Sequence, residues 1–325
     1  MDFTLTSSQV RWRDEGTSFG RTWSAGAPAP AVIAAAGAKG LLDPSASEIE
    51  RVLYLETVSA ESVPVGMALA LHGACQSSLD GRPAAAALRE GSVVGALALS
   101  SDALPEVQGD RLSGPVRWVM PATPGGRALV GAQTGQGFEA CLLSLDAPGV
   151  TAQTVATVGL PGLSAVHLEC RDVLVERVGT PAPVMARVRL AIAAVGLGLA
   201  RRAVREALAC AQGTSRGAGG EQTAQGLIAD AATELEAAVL LTWQAALEPL
   251  SLSRASLAKL AATGAALRAV ERATQVIGAE SFAAGHAIER LTQDVRALEL
   301  FAGRNEALRE AVAVDLLEPG YGATV

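Results

Sequence analysis

Residues 257–270 read Leu257-Ala258-Lys259-Leu260-Ala261-Ala262-Thr263-Gly264-Ala265-Ala266-Leu267-Arg268-Ala269-Val270, with Leu257, Leu260, Leu267 and Val270 recurring near the 3.6-residue helical period. Two similar stripes flank it, Leu197/Val204/Leu208 before and Leu291/Val295/Leu298 after. Gly213 to Gly220, Pro249 and Gly278 to Gly285 separate them, where Gly and Pro end helices. From Met185 onward the pattern therefore predicts four or five long helices in an antiparallel bundle, with Ala at many positions allowing close approach. The stripes by themselves imply core packing and nothing more.

Upstream the texture changes. Val93 to Leu99, Val116 to Met120, Ala128 to Val130, Ala140 to Leu145 and Ala165 to Leu168 are short β-rich runs parted by Gly and Pro turns. Before them, Ile49, Val52, Leu53 and Leu55 recur at helical spacing between Glu48 and about Leu71, and Ser45-x-x-Glu48 has the form of a capping box. The fold class is α+β in three parts: a helical N-terminal domain over 1–92, a β-barrel or sandwich over 93–179, and a four-helix bundle over 180–325.

Composition bounds the function. Half of the 325 residues are hydrophobic, too apolar for a disordered chain. The net charge of −7 argues against nucleic-acid binding, which is built from clustered Lys and Arg. The N-terminus lacks a basic leader, and the most apolar stretch, Leu190 to Ala200, is shorter than the roughly 20 residues a bilayer span needs, so no membrane association and a cytoplasmic location are expected. Cys75, Cys141, Cys170 and Cys210 are scattered and read as free buried thiols; His72, His167 and His286 are too far apart for a local metal motif, and no metal is expected. Gly-x-Gly-x-x-Gly and the phosphate-loop motif are absent.

The α–β–α order and several collinear segments resemble the acyl-CoA dehydrogenase family over nearly the whole chain. The segments include Leu88-Arg89-Glu90-Gly91-Ser92-Val93-Val94-Gly95, Arg111-Leu112-Ser113-Gly114 through Trp118-Val119, Val195-Gly196-Leu197-Gly198-Leu199-Ala200-Arg201-Arg202-Ala203, Gln275-Val276-Ile277-Gly278 and Gly303-Arg304-Asn305-Glu306. The resemblance implies FAD held against an acyl-CoA thioester. A carboxylate takes the α proton while hydride leaves the β carbon. An α proton is too weakly acidic to leave unaided, so the base is the discriminating residue.

Where the family has Tyr-Glu-Gly-Thr, this chain reads Phe301-Ala302-Gly303-Arg304, placing Ala302 at the base position. The alternative base position, just before a matching Arg189, is Val188. A register slip would hand the role to Glu299 or Glu306; Gly303, Asn305 and Glu306 keep register. The cofactor contacts implied are Ser100, Trp118, Arg216, Gln275, Gly278, Gly303 and Arg304, on weakened motifs. Glu106 stands where a hydroxyl meets the phosphates, Met120 replaces a Thr donor, and Pro121 lacks an N–H. The N-terminal part is also short, lacking a family turn between Leu42 and Asp43-Pro44. Glu56, Glu61 and Glu139 read as solvated faces.

Three functional expectations follow from the resemblance. The first is a degenerate member, inactive alone, joined through its bundle into a homo- or hetero-oligomer with a larger homologous subunit that helps complete one FAD site. The second is a working FAD-dependent oxidoreductase, or monooxygenase relative, that uses another base or none. The third is an acyl-thioester-binding or structural module without flavin.

Overall fold

The computed structural model describes residues 4–99, 103–213 and 222–317. Five helices come first: α1 (Ser7–Arg21), α2 (Ala29–Ala38), α3 (Glu48–Glu61), α4 (Val63–Ser77) and α5 (Ala85–Arg89). Eight strands follow: β1 (Gly95–Ala98), β2 (Glu106–Gln108), β3 (Arg111–Val119), β4 (Arg127–Thr134), β5 (Gly137–Ser144), β6 (Val150–Val155), β7 (Ala165–Leu174) and β8 (Glu176–Gly179). Five more α-helices follow among the described residues: α6 (Ala182–Gly213), α7 (Gln222–Leu247), α8 (Leu252–Ile277), α9 (Ala287–Leu300) and α10 (Asn305–Leu317).

The chain packs as two compact units, one of Met1–Thr22, Ser47–Gly66 and Arg189–Val325, the other of Trp23–Ala46 and Met67–Val188. The sheet lies wholly in the second, ordered β6-β7-β3-β2-β4-β5-β8 with β1 on β4. β1 and β2 run parallel to β4, and the other pairs are antiparallel. Its core is Leu112, Val116, Ala128, Val130, Cys141, Leu143, Leu168 and Val173. Also in this unit, the buried His72 ring is fixed between two backbone groups: Nδ1 accepts the Gly95 N–H and Nε2 faces Leu88 O, each at 3.0 Å. The acceptor role of Nδ1 makes Nε2–H the donor and the ring neutral, and burial pushes its pKa down to about 4.

The first unit is helical. The capping box of α3 is formed by Ser47 and Glu50 rather than by Ser45 and Glu48: Glu50 Oε2 accepts the Ser47 N–H at 2.8 Å, while the Ser45 N–H is already taken by Asp43 Oδ1 at 2.8 Å. On α8 the buried face is alanine, namely Ala255, Ala258, Ala262, Ala266, Ala269 and Ala273, and the expected stripe leucines Leu257, Leu260 and Leu267 are only half-buried. Small residues let neighbouring helices close in, so the leucines are displaced to the flanks. Leu208 is likewise exposed, whereas Leu291, Val295 and Leu298 are buried as the pattern predicts.

The Leu190–Ala200 stretch lies inside α6, 32 residues long and apolar enough by length and composition to cross a bilayer, but 72% of its most apolar window is buried within the protein. Gly198 lets α6 approach α3: a Cβ there would lie 2.3 Å from Glu56 O and 2.6 Å from Ser59 Cβ. Glu56 is 3% exposed, not a solvated face, and its carboxylate pairs with Arg201, which also reaches Glu236 at 3.3 Å. Burial raises the Glu56 pKa against the lowering pull of Arg201. Glu61 and Glu139 are half-buried, paired with Arg205 at 3.0 Å and Arg177 at 2.6 Å.

Candidate functional site

The segment that carries the sequence question is the turn between α9 and α10. Helix α9 stops at Leu300, and its C-cap Phe301 returns to extended backbone. Ala302 then takes a left-handed φ of 54° and Gly303 a φ of 102° before Asn305 opens α10. A left-handed alanine costs on the order of 1 kcal/mol, so the turn needs external support.

Two cations supply it. Arg189 donates from Nε to Ala302 O at 3.0 Å and from Nη1 to Ser256 Oγ at 2.8 Å. Lys259, fully buried, donates from Nζ to Gly303 O at 2.7 Å, to Asn305 Oδ1 at 3.2 Å and to Glu299 O at 3.4 Å. Asn305 in turn donates to Thr263 Oγ1 at 3.0 Å. Ser256, Lys259 and Thr263 stand at i, i+3 and i+7 on α8 and so share one face. A Cβ at position 303 would lie 3.3 Å from Arg189 Nη2, so the side-chain-free residue there keeps the guanidinium seated.

Burial, reinforced by the neighbouring Arg189 charge, pushes Lys259 down to about 7, and burial also lowers Arg189. Among the described residues, neither cation has a carboxylate within ion-pair distance. Lys259 was not foreseen from the sequence; a lone lysine between Leu257 and Leu260 was the available signal.

The two positions that the resemblance assigns to a base hold hydrocarbon. Ala302 is half-buried, and Val188 is 2% exposed. The carboxylates of the slipped register are engaged elsewhere: Glu299 pairs with Arg296 at 3.3 Å, and Glu306 with Arg309 at 3.7 Å.

The expected cofactor residues are scattered. Gly303 and Arg304 belong to this turn, Arg304 exposed at the start of α10. Gln275 and Gly278, both exposed, sit at the C-terminal end of α8, Gln275 about 24 Å along its axis from Lys259 at 1.5 Å per residue. Gly278, at φ 72°, terminates that helix. Ser100 and Arg216 lie outside the described residues. In the other unit, Trp118 sits in a β3 irregularity at φ 59° with its ring half exposed, edge-on to His167 at 5.2 Å.

That strand tests the implied flavin. The Trp118 N–H donates to His167 Nδ1 at 3.2 Å, the Met120 N–H to Leu97 O at 3.3 Å, Pro121 has no N–H, and the Met120 side chain is 1% exposed. The strand offers an aromatic face, but its backbone N–H groups at residues 118 and 120 are spent and residue 121 has none, which leaves the Trp118 indole N–H as the donor at these three residues. No backbone donor remains there for the polar edge of an isoalloxazine ring. Among the described residues no group of three or more His, Cys, Asp or Glu could hold a metal ion.

Comparison with known proteins places this geometry in context. Residues 183–317 match the family profile described as acyl-CoA dehydrogenase, C-terminal domain. The chain is 31% identical over 232 residues to the human mitochondrial short-chain specific acyl-CoA dehydrogenase, covering 63% of this chain and 56% of the relative. It is also 31% identical over 191 residues to the 3-sulfinopropanoyl-CoA desulfinase of Paraburkholderia xenovorans (strain LB400), covering 53% and 49%. The chain thus spans about half the length of the curated relatives it matches. Among solved structures, butyryl-CoA dehydrogenase from Megasphaera elsdenii aligns with a TM-score of 0.88 at 20% identity, over 98% of this chain and 100% of that one. Glutaryl-CoA dehydrogenase from Mycobacterium smegmatis in complex with FADH2 aligns at 0.86 and 17%, over 98% and 96%. At these identities the structural likeness is one of fold.

Proposed function

Because the chain belongs to the acyl-CoA dehydrogenase family, we propose that it is a member that does not carry out α,β-dehydrogenation by itself and acts as the base-less subunit of a larger assembly. The observation that carries this reading is Ala302, a methyl group on a turn whose carbonyls are held by Arg189 and Lys259. Flavin, when bound, would supply the hydride acceptor of the family reaction. The proton step needs an acceptor within hydrogen-bond reach, and a methyl accepts nothing.

A two-cation environment would stabilise a carboxylate side chain, and Ala302 offers it none. Assembly through the bundle is supported by the apolar side chains it leaves uncovered, among them Leu240, Leu241 and Leu247 on α7 and Val314 on α10, exposed by 44–64%. A larger homologous partner that carries the base would supply the missing step.

The test is turnover by the chain purified alone, with short, medium and long saturated acyl-CoA and an artificial electron acceptor. No enoyl product is expected, and measurable dehydrogenation overturns the reading. A second reading is a flavin enzyme whose reaction needs no proton acceptor at position 302. It draws support from the relative named as a desulfinase and from the half-exposed Trp118 ring. A flavin absorbance band in the purified chain favours it, and a colourless chain that takes up no added FAD counts against it.

A further inference from the structure

The sheet ends on two strands that are finished in opposite ways. At one end β8 is four residues long and carries Glu176 and Arg177. Arg82 closes that edge: its guanidinium pairs with Glu176 and donates to Arg177 O and Val178 O, each at 3.3 Å. Charge and short length are the usual protection of a sheet edge, whose open N–H and C=O groups otherwise template another strand. At the other end β6 has neither protection. Val150-Thr151-Ala152-Gln153-Thr154-Val155 contains no charge and no proline, and residues 151–154 are exposed. No Asp, Glu, Lys or Arg occurs from Ala147 to Leu168.

The ladder shows which groups are open. The Arg171 N–H donates to Gly149 O at 3.0 Å, and β6 pairs with β7 from Val150↔Cys170 to Val155↔Ala165. Bonding alternates along an antiparallel strand, so Thr151, Gln153 and Val155 direct their N–H and C=O groups to β7, while Val150, Ala152 and Thr154 direct theirs outward. The Val150 N–H is taken by Ala147 O at 3.1 Å. Ala152 and Thr154 carry the open donors, and among the described residues no strand lies beyond them.

We infer that β6 pairs antiparallel with β6 of a second copy of this chain, about a two-fold axis through Gln153, joining two sheets into one. In that register Ala152 exchanges hydrogen bonds with Thr154 of the other copy, Thr151 meets Val155, and Gln153 meets its own counterpart. A self-pairing strand sets each side chain against one of its own kind. This strand has no charge to be repelled by its copy, only β-branched, small and amide groups that favour cross-strand contact. The contact lies on the sheet-bearing unit, not on the bundle, so it does not rest on the reading above. It is small beside the ~800 Å² per partner of a standard interface, so it fills as protein concentration rises.

The test places a cysteine on the axis. Residues that oppose each other without exchanging hydrogen bonds bring their Cα atoms to about 4.5 Å, within the span of a disulfide. In oxidised glutathione, full-length Gln153→Cys is expected to become a covalent dimer. The parent and Val158→Cys, whose cysteines would sit at opposite ends of the paired strands, should stay single under the same conditions. Gln153→Lys and Gln153→Glu should each weaken concentration-dependent association severalfold in sedimentation, and an equal mixture of the two should restore it. A thermal melt confirms that each variant is folded. Cross-linking of Gln153→Cys no faster than that of Val158→Cys overturns the inference, as does association of both charged variants that matches the parent at every concentration. Assembly through the bundle is read apart, as the mass that remains in Gln153→Lys.

Discussion

Lys259 is the residue whose chemistry is most unlike its type. Its pKa of about 7 in the fold lies below the ordinary 10.5, so between those values the unfolded chain holds a proton that the folded chain has released. Stability contributed by this site therefore rises with pH through that window, and the full cost of burying the charge is felt below about 7. Lys259→Met should remove that rise, read as the urea midpoint of the variant against the parent at pH 7 and pH 9. At pH 7 the variant should be destabilised by about 1–3 kcal/mol, since Gly303 O and Glu299 O lose their donor. A parent curve that is flat over this window, parallel to the variant's, would contradict the assignment. At position 302 the alanine could be read directly from the sequence. The clasp behind it was not legible, because a lysine on an apolar helix says nothing about which carbonyls it will meet.

At the level of helices and strands, what could be read depended on periodicity. Helices α6, α8 and α9 and the stronger strands were visible in their apolar spacing, although on α8 alanines rather than the stripe leucines are buried, but β6, Val150-Thr151-Ala152-Gln153-Thr154-Val155, has four exposed residues in a row and gives no alternating signal. Two overlapping Ser-x-x-Glu patterns, 45–48 and 47–50, could each cap α3, and only the Asp43 contact with Ser45 decides between them. The α3–α6 approach depends on Gly198. Gly198→Ala should cost about 1–3 kcal/mol by forcing backbone apart, measured as a fall in thermal midpoint.

The α4–α5–β1 corner depends on neutral His72. Because its folded pKa of about 4 lies below the ordinary 6.5, the unfolded chain takes up a proton first as the solution is acidified. Stability should fall from about pH 6.5 toward 4. His72→Gln should be less acid-sensitive over that range, even if less stable at neutrality, and an unchanged acid slope would refute the role.

For the molecule as a whole, the apolar side chains left exposed on the bundle predict a native mass above the 33.0 kDa of one chain, checked by native mass spectrometry. Apolar area of this kind is costly to leave wet on a monomer. The cysteines add a consequence for the two units. Cys75, Cys141 and Cys170 are buried in the sheet-bearing unit, their thiols pushed up by burial to about 12, 11 and 11, while Cys210 is half-buried on α6 in the helical unit. A thiolate is the reactive form, so a maleimide should attach once to the native protein, at Cys210, and three more times only as the sheet opens. Mass spectra taken along a urea titration would then time the opening of the sheet-bearing unit on its own, with no engineered label.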